Sequence, residues 1–348
     1  MIGRGRILAL SVFVAACGLG LPNTASAYGP GEGQGSQQST STSGNSNGKG
    51  TISATAGGVV YATSDNGSGP SVGPVTSTTT WTPPACYYAP KYTPAALKAH
   101  LEPIWNAEST GSQWDLQQRN TYQDGGKEPG TYKDFNKDKT GKGYWWDSYV
   151  TKGREGDPGA LDCTKPIFWV DKGDPPPADA KNAVTPEILA ELAYNEIRVP
   201  GTHPTLAPAG TTKVNLPTWA WLDATAFKPV SVTASVPALG ISATTTAEPV
   251  SLTIDPGTPD AQTYPASGVC DFHNGRIGEP YAKGKANQTP PCGVKYLHSS
   301  GNGAYPLKAT LTWKIHWTGT GTPGKRLPDG TFGATQNITV QEIQSINH

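Results

Sequence analysis

The chain has 348 residues, including 42 Gly and 32 Pro; only 16% are charged, and 27 basic residues balance 27 acidic ones. Zero net charge without a basic stripe argues against nucleic acid as a partner and gives no electrostatic hold on an anionic membrane. The length allows one large domain or two ordinary ones, and the composition suits a mainly β, loop-rich extracellular protein.

In chain order, the first predicted element is an export signal over residues 1–27. Arg4 and Arg6 precede an apolar run at 7–16 that is too short to span a bilayer, Pro22 breaks the run, and Ala25-Ser26-Ala27 supplies small residues for cleavage before Tyr28. The expected compartment is therefore extracytoplasmic, without ready nucleotides or reducing thiols. A second cleavage reading exists. Val14-Ala15-Ala16-Cys17-Gly18 also fits a lipoprotein site, which would leave Cys17 lipidated and the protein tethered to the outer face of the membrane. Release is the preferred reading, because Leu19 and Leu21 continue the apolar run past Cys17.

Residues 28–80 are rich in Gly, Ser, Thr, Asn and Gln, with only Glu32, Lys49 and Asp65 charged. Such a stretch buries too little apolar surface to offset its ordering entropy, so a disordered tail is expected. Gly57-Gly58-Val59-Val60-Tyr61 is its one strand-like patch. Residues 81–200 form the next expected unit, a tryptophan-containing α/β region with two helices. Thr93-Pro94 and Thr185-Pro186 each place a threonine N-cap before a proline at the first helical position. Leu97, Leu101 and Ile104 follow the first entry at helical spacing, with Pro103 obscuring the end. Ile188, Leu189, Leu192, Ala193 and Ile197 follow the second, and Pro200 stops it. Between the helices, residues 107–180 show no sustained period.

Over residues 201–348 the period becomes two. Val230, Val232, Ala234 and Val236 alternate with Ser231, Thr233 and Ser235; Val250, Leu252 and Ile254 do likewise. Residues 307–317 alternate most cleanly, apolar at each odd position, with Trp313 facing inward. A Gly/Pro turn over 318–328 follows, and Glu342-Ile343 breaks the last alternation as a bulge would. Short strands with turns between them predict a C-terminal immunoglobulin-like β-sandwich, so the chain as a whole reads as mainly β.

Four cysteines remain after the signal. In an oxidising compartment an even number predicts disulfides, and the sequence gaps favour Cys86–Cys163 and Cys270–Cys292 among three connectivities.

Several motifs suggest chemistry and fail on their details. Gly319-Thr320-Gly321-Thr322-Pro323-Gly324-Lys325 has phosphate-loop spacing, but Arg326 stands where Ser or Thr must hold magnesium, Pro323 removes an amide, and Leu327-Pro328-Asp329-Gly330 is a turn rather than a helix. No nucleotide is expected there; a hairpin loop is. Asp134, Asn136 and Asp138 alternate like calcium ligands, yet Lys139 replaces the required glycine and Trp145 the bidentate glutamate. Cys270, His273, Cys292 and His298 have suggestive zinc spacing, but bridged cysteines leave no metal and no cofactor. Asp271, His273 and Ser299 form a triad only on paper, and no H-E-x-x-H occurs. The remaining candidates are aromatic. Trp145-Trp146, and Trp219 with Trp221 two positions on, offer flat rings of the kind that stack on sugar C–H faces.

Four blocks carry a resemblance: Val214-Asn215-Leu216-Pro217-Thr218-Trp219-Ala220-Trp221-Leu222, Cys292-Gly293-Val294-Lys295-Tyr296, Leu311-Thr312-Trp313-Lys314-Ile315-His316-Trp317 and Val340-Gln341-Glu342-Ile343-Gln344. Together they resemble a secreted actinobacterial (Streptomyces-type) protein family of no established activity, some members of which carry an ATP/GTP-binding label. The resemblance spans about residues 80–348, strongest from 185 onward, and implies no catalytic residues. Pro323 and Arg326 depart from what a nucleotide label requires.

The expectation is thus an exported, non-enzymatic binding or scaffold protein whose partner is an envelope protein or glycan. The rival is a secreted enzyme acting on an envelope polysaccharide or peptidoglycan, with a working carboxylate pair among Asp115, Glu128, Asp134, Asp138 and Asp147.

Overall fold

The computed structural model describes residues 45–46, 52–56, 58–64, 72–107, 111–222, 227–273 and 275–343. The signal segment, with Cys17, lies outside them. The fold is mainly β, with 43% strand and 16% helix among the described residues.

The elements that matter below are, in order, β1 (Val59–Thr63), β2 (Cys86–Tyr92), α1 (Pro94–Asn106), α2 (Ser112–Tyr122), β3 (Gly143–Val150), β4 (Phe168–Asp171), α3 (Pro186–Asn195), β5 (Thr218–Leu222), β6 (Val230–Val236), β7 (Ile241–Asp255), β8 (Tyr305–Gly319), β9 (Thr322–Arg326) and β10 (Gly330–Gln341). A large sheet runs through antiparallel neighbours β1, β6, β7, β8 and β10. A smaller one has the order β2-β3-β4, also antiparallel. Strand pairing links sixteen strands among the described residues into one branched network, so the two-sheet immunoglobulin-like arrangement stays an expectation drawn from pattern.

The period-two reading translates directly into burial. Along β6 every valine and alanine is buried while Ser231, Thr233 and Ser235 lie on the wetter face, and β8 buries Leu307, Ala309, Leu311, Trp313, Ile315 and Trp317. Thr245 is the polar exception on the inner face of β7. Its hydroxyl donates to the Ala190 carbonyl of α3 at 2.8 Å, so the buried oxygen is satisfied and the helix is pinned to the sheet. Both helix entries form as read: Thr93 accepts from the Ala96 amide at 3.3 Å and Thr185 from the Ile188 amide at 3.2 Å.

Three expectations need correction. The first is the unstructured tail over 28–80. Val59 and Tyr61 are buried, β1 pairs with β6 in the register Val60↔Ser235 and Thr63↔Val232, and Val72–Pro74 pairs with Arg198–Pro200. The patch at 59–61 had the right period, and an open sheet edge supplied the partner that makes a short strand stable. Most of the rest of that stretch lies outside the described residues.

The second is the boundary at 200/201. One contiguous core joins Tyr87 and Trp146 of the small sheet, Leu189 and Leu192 of α3, and Leu311 and Trp313 of the large sheet. Helix α3 belongs with the large sheet, because its apolar stripe matches the inner face of β6 and β7. The third is the bulge at Glu342-Ile343. Strand β10 ends at Gln341 and Ile343 is exposed; the register shifts among the described strands fall instead at Pro249/Ser251, Trp317/Gly319 and Pro90/Tyr92. Proline lacks the ladder N–H, which accounts for the first of these shifts.

Both expected disulfides are present, Cys86–Cys163 and Cys270–Cys292. The first ties the start of β2 to the loop before β4.

Candidate functional site

The four tryptophans named from sequence do not make an exposed platform. Trp145 is 0% and Trp146 1% exposed. As neighbours on one strand they point to opposite faces, so each plugs a different core. Trp145 meets Tyr132, Tyr122 and Trp169 edge-on at 4.7, 5.4 and 5.4 Å, and its indole N–H donates to the Phe135 carbonyl at 3.0 Å. Trp146 stacks on Phe168. The reading of this pair as ligand contacts is corrected to core packing. Trp219 on β5 is 3% exposed, covered by Tyr281 edge-on and by Lys285, whose ammonium sits 5.2 Å from the ring centroid. It too is covered by its own chain, whereas Trp221 is half-buried.

The motif readings resolve locally. Cys270 and Cys292 are consumed in their bridge, and His273 is exposed. Residues 319–325 form the β8–β9 hairpin, where Gly324 has φ 89° and a Cβ would lie 1.7 Å from the Trp317 carbonyl oxygen. Steric need, not phosphate, explains that glycine. Asp134 pairs with Lys137 at 3.1 Å, and Lys139 with Asp171 at 3.1 Å, so lysines already occupy two carboxylates around the calcium-like run. Asp134, Phe135 and Asn136 all take positive φ.

The five carboxylates of the enzymatic expectation are not gathered in a cleft. Asp147 pairs with Lys91 at 2.7 Å, Asp115 is buried, and Glu128 and Asp138 lie on the surface. None of the five lines either of two depressions found at the small sheet among the described residues.

The first depression has a volume of about 420 Å³ and is polar, with Pro83, Arg154, Asp157, Asp162, Asn182 and Glu191 among its lining residues. Arg154 is occupied: it donates to Asp157 at 2.6 Å and to the Pro83 carbonyl. Asn182 donates to the Cys86 carbonyl at 3.0 Å. Glu191 of α3 is half-buried and makes no hydrogen bond or ion pair among the described residues. Burial, with Glu187 one turn earlier adding repulsion, pushes its carboxyl up to about 7.

The second depression, of about 320 Å³, lies between α2 and β4. Gln117, Gln118, Thr121 and Tyr122 form the helical wall; Pro166, Ile167, Phe168 and Trp169 form the other, with Tyr132 and Pro177 closing the ends. Successive strand residues point to opposite faces, so a groove lined by both Phe168 and Trp169 follows the edge of the strand rather than either face. Topology agrees, since β4 pairs only with β3 and is the sheet's outer strand. The Tyr122 hydroxyl donates to the Ile167 carbonyl at 2.9 Å and sets the distance between the walls. No carboxylate lines this groove. Its one charged group, Lys165, pairs with Asp179 at 2.6 Å and lies over the Phe168 ring.

Sequence reasoning missed this groove. Trp169 stood in the unread stretch, α2 lacks a side-chain cap because Gly111 precedes it, and nothing marks Gln117 or Gln118 in the chain. No family model matches the chain, and no curated protein or solved structure is significantly similar to it.

Proposed function

We propose that this is an exported, non-enzymatic binding protein of the cell envelope that takes an envelope glycan in the groove between α2 and β4. The observation that carries the reading is the lining of that groove: aromatic and aliphatic groups below, uncharged amides on the rim, and no carboxylate. A sugar ring needs this combination, an apolar surface for its C–H face and neutral hydrogen-bonding groups for its hydroxyls. Export is supported by the two disulfides, and no helix among the described residues is long and apolar enough to cross a membrane. Cleavage before Tyr28 releases the protein; lipidation of Cys17 is the alternative, and the intact mass of the mature protein separates the two.

The test is binding of the mature protein to purified envelope polysaccharide. Replacing Gln117 and Gln118 together by Ala should weaken retention about tenfold, the loss expected for one or two hydrogen bonds, with unchanged thermal unfolding. Equal retention by the double variant sinks the groove as the site.

A second reading rests on Glu191. A half-buried, unpartnered carboxyl poised near neutrality, in a depression that Asp157 and Asp162 also line, is how a general acid is prepared in hydrolysis of a glycosidic bond. Release of new reducing ends from peptidoglycan or polysaccharide, lost in Glu191→Gln, would establish the enzyme in place of the binder.

A further inference from the structure

We infer that the groove between α2 and β4 recognises the acetamido group of an N-acetylated sugar. This rests on the glycan-binding reading and narrows it to a ligand class.

The warrant lies in the backbone of β4. The Lys172 amide donates to the Lys142 carbonyl at 2.7 Å, and the β3–β4 register pairs Tyr144 with Val170 and Trp145 with Trp169. Antiparallel hydrogen bonding alternates along a ladder, so residues 168, 170 and 172 turn their N–H and C=O groups toward β3. Ile167, Trp169 and Asp171 turn theirs outward, along the edge that forms the groove. Two of the three outward carbonyls are used. That of Ile167 accepts the Tyr122 hydroxyl, and that of Asp171 accepts the Asp174 amide at 3.1 Å. Trp169 has no backbone hydrogen bond among the described residues, although its side chain is buried. Backbone groups left unpaired at a walled edge call for a partner.

The partner has to be short. An added peptide strand gains its affinity from a run of alternate residues, and here the run is one residue long. A single amide suits the space. In a trans secondary amide the C=O and N–H point in opposite directions. Lying across the groove, it meets the Trp169 edge on one side and the carboxamides of Gln117 and Gln118 on the other. Those side chains can donate or accept, and no hydrogen bond within the described residues occupies them. The attached pyranose ring then rests against Tyr132 and Ile167, which are both partly exposed. A cavity of about 320 Å³ has room for one such residue of a polymer, at the small end of ligand pockets.

The experiment uses the ¹⁵N-labelled mature protein with three probes: tri-N-acetylchitotriose, cellotriose and an N-acetylated tripeptide amide. The two trisaccharides share a linkage and differ at the sugar C2 substituent. The expected result is that tri-N-acetylchitotriose binds at least about tenfold tighter than cellotriose, shifts the Gln117 and Gln118 side-chain amides, and slows solvent exchange of the Trp169 backbone amide. Equal binding of both trisaccharides at those residues overturns the acetamido inference and leaves the glycan reading standing. Absence of any shift at Gln117, Gln118 and Trp169 with either sugar overturns both. Tighter binding of the acetylated peptide than of either sugar overturns the inference in favour of strand addition at the β4 edge.

Discussion

In the large sheet, burial follows the chain's period of two; in the three-stranded sheet it follows the tryptophans. Strands β6 and β8 alternate so regularly that the inward residues are apolar, while the outer face carries Ser and Thr on β6 and Thr, Lys and His on β8. Strand β3 instead carries Trp145 and Trp146 side by side, and both are buried because the strand has a core on each face: the large core behind it and a second one built by Leu97, Leu101, Trp105, Tyr122 and Phe135. The difference teaches where a site can form. A regular ladder between long strands closes on itself and leaves a flat surface. The small sheet ends after three strands, and its last edge is only partly covered by a helix, so a walled groove remains.

Each contrast can be broken by experiment. The largest expected effect concerns the disulfides. Cys86–Cys163 closes a loop of 77 residues and Cys270–Cys292 one of 22. On the loop-entropy account, removing them by paired Cys→Ser changes costs about 4.5 and about 3.5 kcal/mol respectively. Urea unfolding of the two variants checks the order; a costlier loss of Cys270–Cys292 would mean that native packing, not chain entropy, governs the small sheet.

Next come the two cores. Leu311 sits on β8 between β7 and β10, where neighbours on both sides are held by ladder bonds, whereas Leu97 lies on α1 in the core that also holds Phe135 of the irregular 134–139 segment. Both side chains are fully buried. Leu311→Ala should therefore cost about 4 kcal/mol and Leu97→Ala about 2–3 kcal/mol, since a loop-lined site collapses further around a cavity. Equal costs would erase the distinction between a rigid and an adaptable core.

The smallest effect concerns Glu191, where α3 faces the polar depression beside the small sheet. Burial raises its carboxyl above the unfolded value, so folding takes up a proton between roughly pH 4.5 and 7, and stability from this group is present below that window and lost as pH rises through it. Glu191→Gln should then stabilise by about 1 kcal/mol at pH 8, after allowance for solvent screening of a half-exposed group, and by almost nothing at pH 4. Chemical unfolding at the two pH values reads this directly. A variant equally stabilised at both would show that packing, rather than charge, is relieved.

Much of the fold was legible in the chain because its signals are local. Thr-Pro entries mark α1 and α3, Gly324 marks a hairpin, and the alternation through residues 230–236 and 307–317 marks strands whose partners need not be known. The Cys pairs followed from sequence gaps alone. The candidate site was illegible for the opposite reason. A tryptophan that stacks on a ligand and one that fills a core have the same local context, and only the arrival of β2, α1 and α2 around β3 decides that Trp145 and Trp146 are interior. Likewise Val59 and Tyr61 look like an isolated patch in a polar tail until the open edge of β6 gives them hydrogen-bonding partners.

The sequence by itself determined the mainly β class, the starts of α1 and α3, the disulfide pairs and the failure of the phosphate-loop motif, since each depends on residues close together or on composition; α2, entered from Gly111 without a side-chain cap, was not legible. Tertiary structure alone decided which aromatic rings stay accessible, that α3 closes the large sheet rather than belonging to a separate unit, and that the edge of β4 lies open opposite α2. Those outcomes depend on which surfaces meet across long stretches of chain, and a period or a motif carries no record of the partner it will find.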